Sequence, residues 1–336
     1  MKNADLLTGI TTTGTPHLGN YVGAIRPAIK SSKKKDKLSY YFLADYHAII
    51  KCQKPERIIK STLEVAATWI ALGLDTDKSI FYRQTDIPEI LELTWILSCI
   101  TSKGLMNRAH AYKASLTQNR IDKRKDLEKN ITMGLFNYPI LMAADILMFN
   151  ADKIPVGKDQ IQHIEMARDI AVKFNNTYGK YFILPEAVVD EKIPILSGVD
   201  GRKMSKSYDN TIPLFESEKH LRKLIMKIKT NSLSPEEPKD YSTSILFAIY
   251  QAFAESNEIK EMKERYKKGI AWGVMKQELF ELLNEVLKQP RQEYNKLIKS
   301  PDYIEDILKK GAQRAREYSV PFLGKIKKSI GIQIIR

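Results

Sequence analysis

Residues 5–20 read Asp5-Leu6-Leu7-Thr8-Gly9-Ile10-Thr11-Thr12-Thr13-Gly14-Thr15-Pro16-His17-Leu18-Gly19-Asn20. The apolar run over 5–10 predicts a strand, the turn-rich string over 11–16 a tight loop, and the apolar spacing over 17–29 a helix. Outward from this unit the pattern repeats, with a second strand over 38–45, a long amphipathic helix over 55–72 and a third strand over 79–83. Such alternation predicts a parallel sheet with helices on both faces.

From 88 to about 150 the pattern changes to consecutive helices, broken by a charged stretch over 120–130 that reads as a mobile loop. This segment is expected to be an insertion between the sheet halves. A short strand over 154–156, a helix over 158–175 and a last apolar segment over 193–197 follow. Beyond Ser207 strand signals vanish, and residues 211–336 carry apolar positions at helical spacing among Lys and Glu, which predicts an all-helical second part. The expected division is an α/β domain over 1–210, which includes the helical insertion, and a helical domain over 211–336.

Of the 336 residues, 43% are hydrophobic and 28% charged, which excludes disorder and leaves room for a real core. Lys and Arg number 54 against 40 Asp and Glu, a net charge of +14 that favours a polyanionic partner or a phosphorylated substrate. No apolar stretch is long enough to span a bilayer and the N-terminus has no secretory pattern, so a soluble, cytoplasmic chain is expected. The only cysteines, Cys52 and Cys99, are far apart and support neither a zinc site nor a disulfide framework.

The first loop has the chemistry of an anion site. Gly14 permits a tight turn, Gly19 lets a nucleotide approach the backbone, and His17 and Asn20 are able to donate to phosphate oxygens near the positive end of a helix. Taken alone, the string also describes an ordinary capped helix with a surface histidine. Far downstream stands Asp200-Gly201-Arg202-Lys203-Met204-Ser205-Lys206-Ser207, whose two lysines could reach one phosphate chain.

In His17-Leu18-Gly19-Asn20 and Lys203-Met204-Ser205-Lys206-Ser207 the sequence resembles the class I aminoacyl-tRNA synthetases, whose two signatures usually read HIGH and KMSKS. The resemblance implies a Rossmann-type doubly wound parallel sheet and formation of an adenylate, in which a carboxylate attacks the α-phosphate of ATP and pyrophosphate leaves. It assigns catalysis to His17, Lys203 and Lys206. ATP contacts fall by position on Thr11, Thr12, Thr13, Gly19, Asn20, Gly157, Lys158, Asp159, Ile195, Lys203, Met204, Ser205, Lys206 and Ser207. Magnesium is expected on the phosphates, with no site built from protein carboxylates.

The segment Val156-Gly157-Lys158-Asp159-Gln160-Ile161-Gln162-His163 resembles the subclass that activates tryptophan or tyrosine. Tyr138, Met142 and Asp145 share one helix face. Core packing is the ordinary reading for Tyr138 and Met142, whereas a buried Asp needs a donor. Tyrosine enzymes usually carry Gln where Met142 stands. Met142-Ala143-Ala144-Asp145 is the form of the tryptophan enzymes, with the thioether against the indole and the carboxylate accepting its N–H. The resemblance adds Ile154 and Val156 as an apolar wall, Leu7 where the family often has an aromatic residue, Tyr138 and Gln160 by the substrate's amino and carboxylate groups, and His47 by the pocket. For His47 a purely structural histidine is an equal reading.

Two positions depart from the family's pattern: the loop commonly reads Gln-Pro-Ser where Thr11-Thr12-Thr13 stand, and Lys158 replaces a common Glu. The implied function is ATP-dependent activation of L-tryptophan followed by transfer to tRNA(Trp), in a homodimer whose contact is built largely by the helical insertion. Leu91, Leu93, Trp95, Ile96 and Leu97 fit that contact and fit a core equally well. The helical C-terminal part is expected to read the anticodon. Basic clusters at 30–37, 120–129, 219–229 and 325–328 suit tRNA without locating it. A tyrosine enzyme is the near alternative, and a small-molecule nucleotidylyltransferase or a non-catalytic RNA-binding paralogue the distant ones.

Overall fold

The computed structural model describes residues 3–33, 38–189 and 195–332, and for Ser207 the backbone alone. Lys34, Lys35 and Lys37 of the first basic cluster, and positions 193–194 of the last apolar segment, lie outside the described residues.

Three strands form a parallel ladder in the order β1 (Leu6–Thr11), β2 (Ser39–Ala44), β3 (Ile80–Arg83), with Thr11 level with Ala44 and Leu43 level with Arg83. A second parallel pair, β4 (Lys153–Pro155) and β5 (Glu186–Val188), has β4 against β1. Across both pieces the order is β3, β2, β1, β4, β5, so the winding reverses at β1. In doubly wound folds that reversal opens a crevice outside the carboxyl ends of the strands. β5 carries no sequence signal because it is three residues long and two of them are exposed.

The sequence of β2, Ser39-Tyr40-Tyr41-Phe42-Leu43-Ala44, is buried throughout, as expected of a parallel strand covered on both faces. Tyr40, Phe42 and Ala44 join one core with Ile90, Leu93, Ile140 and Ile164; Tyr41 and Leu43 join another with Val65 and Trp69. The helices behind these cores are α4 (Pro55–Ala71) on one side, and α5 (Glu89–Ile100), α8 (Met133–Met148) and α9 (Ile161–Tyr178) on the other.

The helix expected over 17–29 is not one regular rod. It runs as α1 (Leu18–Asn20), a wide π-turn over Tyr21–Ile25, and α2 (Arg26–Ser32). The Arg26 N–H reaches back five residues to the Tyr21 carbonyl, and Pro27 has no N–H with which to restore the ordinary spacing. A short α3 (Asp45–Ile49) follows β2, and α6 (Lys103–Met106) and α7 (His110–Ile121) complete the insertion. The charged stretch after α7, expected to be mobile, is tied down: Asn119 Nδ2 donates to the carbonyls of Leu127 and Lys129 at 2.7 and 3.0 Å.

After residue 217 come α10 (Glu218–Met226), α11 (Ile245–Phe253), α12 (Ser256–Lys268), α13 (Trp272–Ile298) and α14 (Pro301–Ser329). The core shared by α10 to α13, with Phe247, Tyr266 and Leu283, also takes in Leu18, Val22 and Met204. α14 returns to the sheet, where a Cβ on Gly311 would fall 1.7 Å from the Phe81 carbonyl oxygen of β3. Arg314 caps the approach to β3 by donating to the carbonyls of Thr76 and Ser79, both at 3.0 Å. A helix thereby covers the outer strand. Among the described residues no helix is long and apolar enough to cross a membrane.

Candidate active site

The carboxyl ends of the parallel strands β1, β2 and β3 lie on one edge, and the segments after β1, β2 and β4 carry residues singled out from the sequence. β1 leads into Thr11, Thr12 and Thr13, β2 into His47, β3 into Gln84, and β4 into Val156, Gly157, Lys158, Asp159 and Gln160.

The two signature loops meet. Lys206 Nζ donates to the Gly14 carbonyl at 2.5 Å, and Met204, buried, has its Cβ beside Gly19. The Leu18 N–H donates to Ile212 O and the Leu214 N–H to Pro16 O, both at 3.0 Å, which fixes the first loop to the strand-like segment after the second. Gly14 has a φ of +150°, outside the range of ordinary side chains. A side chain there would also crowd Lys206 and Arg57.

His17 and Asn20 cap α1 reciprocally: the Asn20 N–H donates to His17 Nδ1 at 3.3 Å, and the His17 N–H to Asn20 Oδ1 at 3.2 Å. This settles what each presents to a ligand. With Nδ1 accepting, the neutral imidazole carries its proton on Nε2, and Asn20, its Oδ1 engaged in the cap, keeps its NH₂ for a ligand, so both offer donors. Burial, followed by the charge of Lys206, holds the His17 imidazole down at about 4. Lys206 is itself lowered to about 8, by burial and then by the charge of Arg57. A cation that burial holds near its point of proton loss gains from an anionic partner.

The lysine loop owes its shape to a residue without a sequence signal. Asn210, 1% exposed, accepts from the Ser205 N–H at 2.8 Å and donates to Asp200 Oδ1 at 2.7 Å and to the Lys203 carbonyl at 3.2 Å. Lys203 is exposed, and its backbone bridges to Ser197. Arg202 pairs with Asp200 at 2.6 Å and lies over the Tyr208 ring.

Asp145, 1% exposed, already has two protein partners. His47 Nε2 lies 2.9 Å from Oδ2, and Gln84 Nε2 donates to Oδ1 and Oδ2 at 2.7 and 2.9 Å. Burial pushes the carboxyl above its usual value, opposed by both partners. Gln84 escaped the sequence reading because nothing in Arg83-Gln84-Thr85 marks it; only the register of β3 places it. On the same helix Tyr138 Oη lies 2.6 Å from His163 Nε2, His163 Nδ1 lies 2.9 Å from Gln160 Oε1, and Gln160 Nε2 donates to Asp159 at 3.2 Å. The Tyr138 and His47 rings meet edge to face with centroids 6.4 Å apart, so the two networks adjoin.

Other expected residues stand differently. Met142 and Val156 are half-buried against the main core, Leu7 and Ile154 are fully inside it, and Thr12 is buried between exposed Thr11 and half-buried Thr13. Gly157, Lys158 and Asp159 are exposed. A Cβ on Gly157 would come 2.7 Å from Asp159 Oδ1. Ile195 is 75% exposed. The Ser207 side chain lies outside the described residues. Of the apolar residues considered for a subunit contact, Leu93, Ile96 and Leu97 are buried in the chain's own core, while Trp95 is 73% and Leu91 40% exposed.

The fold and the paired loops are those of an adenylate-forming nucleotide enzyme, and the family model described as tRNA synthetases class I (W and Y) matches residues 1–288. The chain belongs to that family of class I aminoacyl-tRNA synthetases. Its relatives include the tryptophan–tRNA ligase of Pseudomonas aeruginosa, 55% identical over 334 residues that span 98% of this chain and 74% of the relative. The tryptophan–tRNA ligase of Neisseria meningitidis is 54% identical over 336 residues and the whole of both chains. A crystal structure of tryptophanyl-tRNA synthetase from Campylobacter jejuni complexed with ADP and tryptophan has a TM-score of 0.87 and 43% identity, covering 97% of this chain and 99% of that one.

Proposed function

We infer that the chain catalyses the tryptophan–tRNA ligase reaction: ATP activates L-tryptophan to tryptophanyl-adenylate with release of pyrophosphate, and the tryptophanyl group then passes to a ribose hydroxyl of tRNA(Trp) with release of AMP. The observation that carries this reading is the meeting of the two signature loops, with Lys206 on the Gly14 carbonyl and Met204 beneath Gly19. In the first step a tryptophan carboxylate oxygen bonds to the α-phosphorus as the bond to the pyrophosphate oxygen breaks. No protein nucleophile is needed, so catalysis is positioning and stabilisation of the growing negative charge.

The donors for that charge are named by their hydrogen bonds. His17 Nε2–H and the Asn20 NH₂ are the groups left over from the cap, and they suit the α-phosphate side. Lys206 and Lys203 suit the leaving pyrophosphate. Thr11, Thr12, Thr13, Gly19, Gly157, Lys158, Asp159, Ile195, Met204, Ser205 and Ser207 complete the proposed nucleotide contacts. The donor set at the two loops is cationic or neutral and fits phosphate oxygens rather than a divalent cation. Magnesium would therefore enter with the nucleotide and neutralise its phosphates.

For the amino acid, Met142, Ile154, Val156 and Leu7 supply the apolar wall, Asp145 the acceptor for the indole N–H with His47 and Gln84 holding its carboxylate, and Tyr138 and Gln160 the groups at the amino-acid end. Tryptophan selectivity then follows from a buried carboxylate, held by His47 and Gln84, whose remaining acceptor capacity a rival amino acid without the indole N–H would leave unfilled. The helical part over 211–336 is proposed to read the anticodon, with the catalytic domain over 1–210. The exposed pair Leu91 and Trp95 marks the proposed homodimer contact, and the cytoplasm, where tRNA is charged, is the proposed location.

Pyrophosphate exchange into ATP, run with tryptophan, with tyrosine and with neither, tests the reading. Exchange with tryptophan alone is expected. Tyrosine-dependent exchange would overturn the roles of Met142 and Asp145, and no exchange with either would overturn adenylate formation.

A further inference from the structure

Tyr138 and Gln160 sit on different helical elements and are joined by one side chain, His163, which is 3% exposed. The proton positions along this row follow from what each atom is able to do. The Asp159 carboxylate only accepts, so the Gln160 atom facing it is the amide nitrogen and the atom facing His163 is the amide oxygen. An amide oxygen only accepts, so His163 carries its proton on Nδ1. Nε2 of the neutral ring then accepts, and the Tyr138 hydroxyl donates. Burial keeps the imidazole neutral by pushing it below its usual value. His110 on α7 and His47 on α3 act in the same direction, and Asp159 opposes them.

The consequence is an inventory of acceptors. Tyr138 turns its single proton inward, which leaves the lone pairs of Oη facing away from His163. Gln160 Oε1 keeps one lone pair beyond the His163 N–H. We propose that His163 is a positioning residue for the amino-acid substrate: by accepting from Tyr138 and donating to Gln160 Oε1, it turns both oxygens into acceptors for the α-ammonium of tryptophan. Without it the Tyr138 hydroxyl is free to aim its proton at the ammonium, and the Gln160 amide is free to rotate and present its NH₂. The inference rests on the ligase reading above, which places Tyr138 and Gln160 at the amino-acid end.

The test compares two ligands that differ only in the ammonium. Binding of tryptophan and of indole-3-propionate is measured by calorimetry for the wild type, His163→Phe and His163→Gln, alongside kcat and KM for tryptophan in pyrophosphate exchange. In His163→Phe, tryptophan affinity is expected to fall about tenfold or more, the loss of a hydrogen bond to a charged group, with KM rising more than kcat falls. Indole-3-propionate is expected to bind as in the wild type. His163→Gln, which keeps one acceptor and one donor, should recover most of the loss. Equal losses for both ligands, or undiminished tryptophan binding, would overturn the proposal. If His163→Phe does not fold, Tyr138→Phe makes the same comparison from the other end of the hydrogen bond. A wild type without tryptophan-dependent exchange would overturn the ligase reading and this inference with it, whereas normal wild-type exchange with unselective variants overturns this inference alone.

Discussion

Gln84 Nε2 stands 2.7 and 2.9 Å from the two oxygens of the Asp145 carboxylate, and both side chains are sealed from solvent. Gln84 belongs to the end of β3 and Asp145 to α8, so one hydrogen-bond pair joins the sheet to the insertion at the proposed indole acceptor. In Gln84→Leu the carboxylate keeps only His47. Stability is expected to drop by about 1–3 kcal/mol, the penalty for a poorly satisfied buried group, read by denaturant unfolding. The Asp145 carboxyl should also rise further, because the lost donor favoured the ionised form. The acid limb of kcat/KM for tryptophan would then move to higher pH, and an unmoved limb would exclude Asp145 from that titration.

Replacing the acceptor itself separates specificity from nucleotide binding. Asp145→Ala is expected to lower kcat/KM for tryptophan relative to tyrosine and phenylalanine by about tenfold or more. ATP affinity, measured without amino acid, should change little. Undiminished discrimination in that variant would remove Asp145 from substrate selection.

Lys206 provides a pH signature. Its ammonium titrates at about 8 in the free protein, so it is charged below that value and loses its proton as pH rises through it. The kcat/KM for ATP should therefore fall on the alkaline side of about 8, since the cation proposed for the leaving pyrophosphate disappears. Lys206→Ala should slow activation roughly 10²–10³-fold with a smaller effect on tryptophan affinity, and should abolish this alkaline limb. A limb that persists in the variant belongs to another group.

Gly311 is a packing prediction remote from the chemistry. A Cβ there would overlap the Phe81 carbonyl, so Gly311→Ala must push α14 off β3. A loss of about 1–3 kcal/mol is expected from overpacking, visible as a lower unfolding midpoint. Gly324→Ala on the same helix meets nothing within 4 Å and should be close to neutral, which makes it the control.

Different parts of the molecule were legible for different physical reasons. Strands β1 to β3 and the two signature loops are local patterns, and they were readable because a buried parallel strand and a glycine turn each need particular residues within a few positions. The Asp145 site was half readable: a buried carboxylate on the Tyr138 and Met142 face signals a donor, but its protein donors come from 98 and 61 residues away. His163 ends the motif that starts at Val156, yet its role as a bridge depends on α8 facing α9. Asn210 was invisible because a polar loop residue looks the same whether it organises a loop or faces water. The return of α14 was equally hidden, since helical spacing says that a face is apolar and not what covers it.

That return bears on how the chain is made. Arg314 closes on the Ser79 carbonyl across 235 residues, and Arg83, the neighbour of Gln84, is held by Glu305 at 2.8 Å. During synthesis from the N-terminus, β3 leaves the ribosome long before the helix that covers it, so its outer edge stays unprotected through most of translation. The nascent sheet is then the form most in need of a chaperone. A ribosome stalled before α14 emerges would hold a chain whose sheet is assembled in outline and whose proposed tryptophan pocket still lacks its outer support.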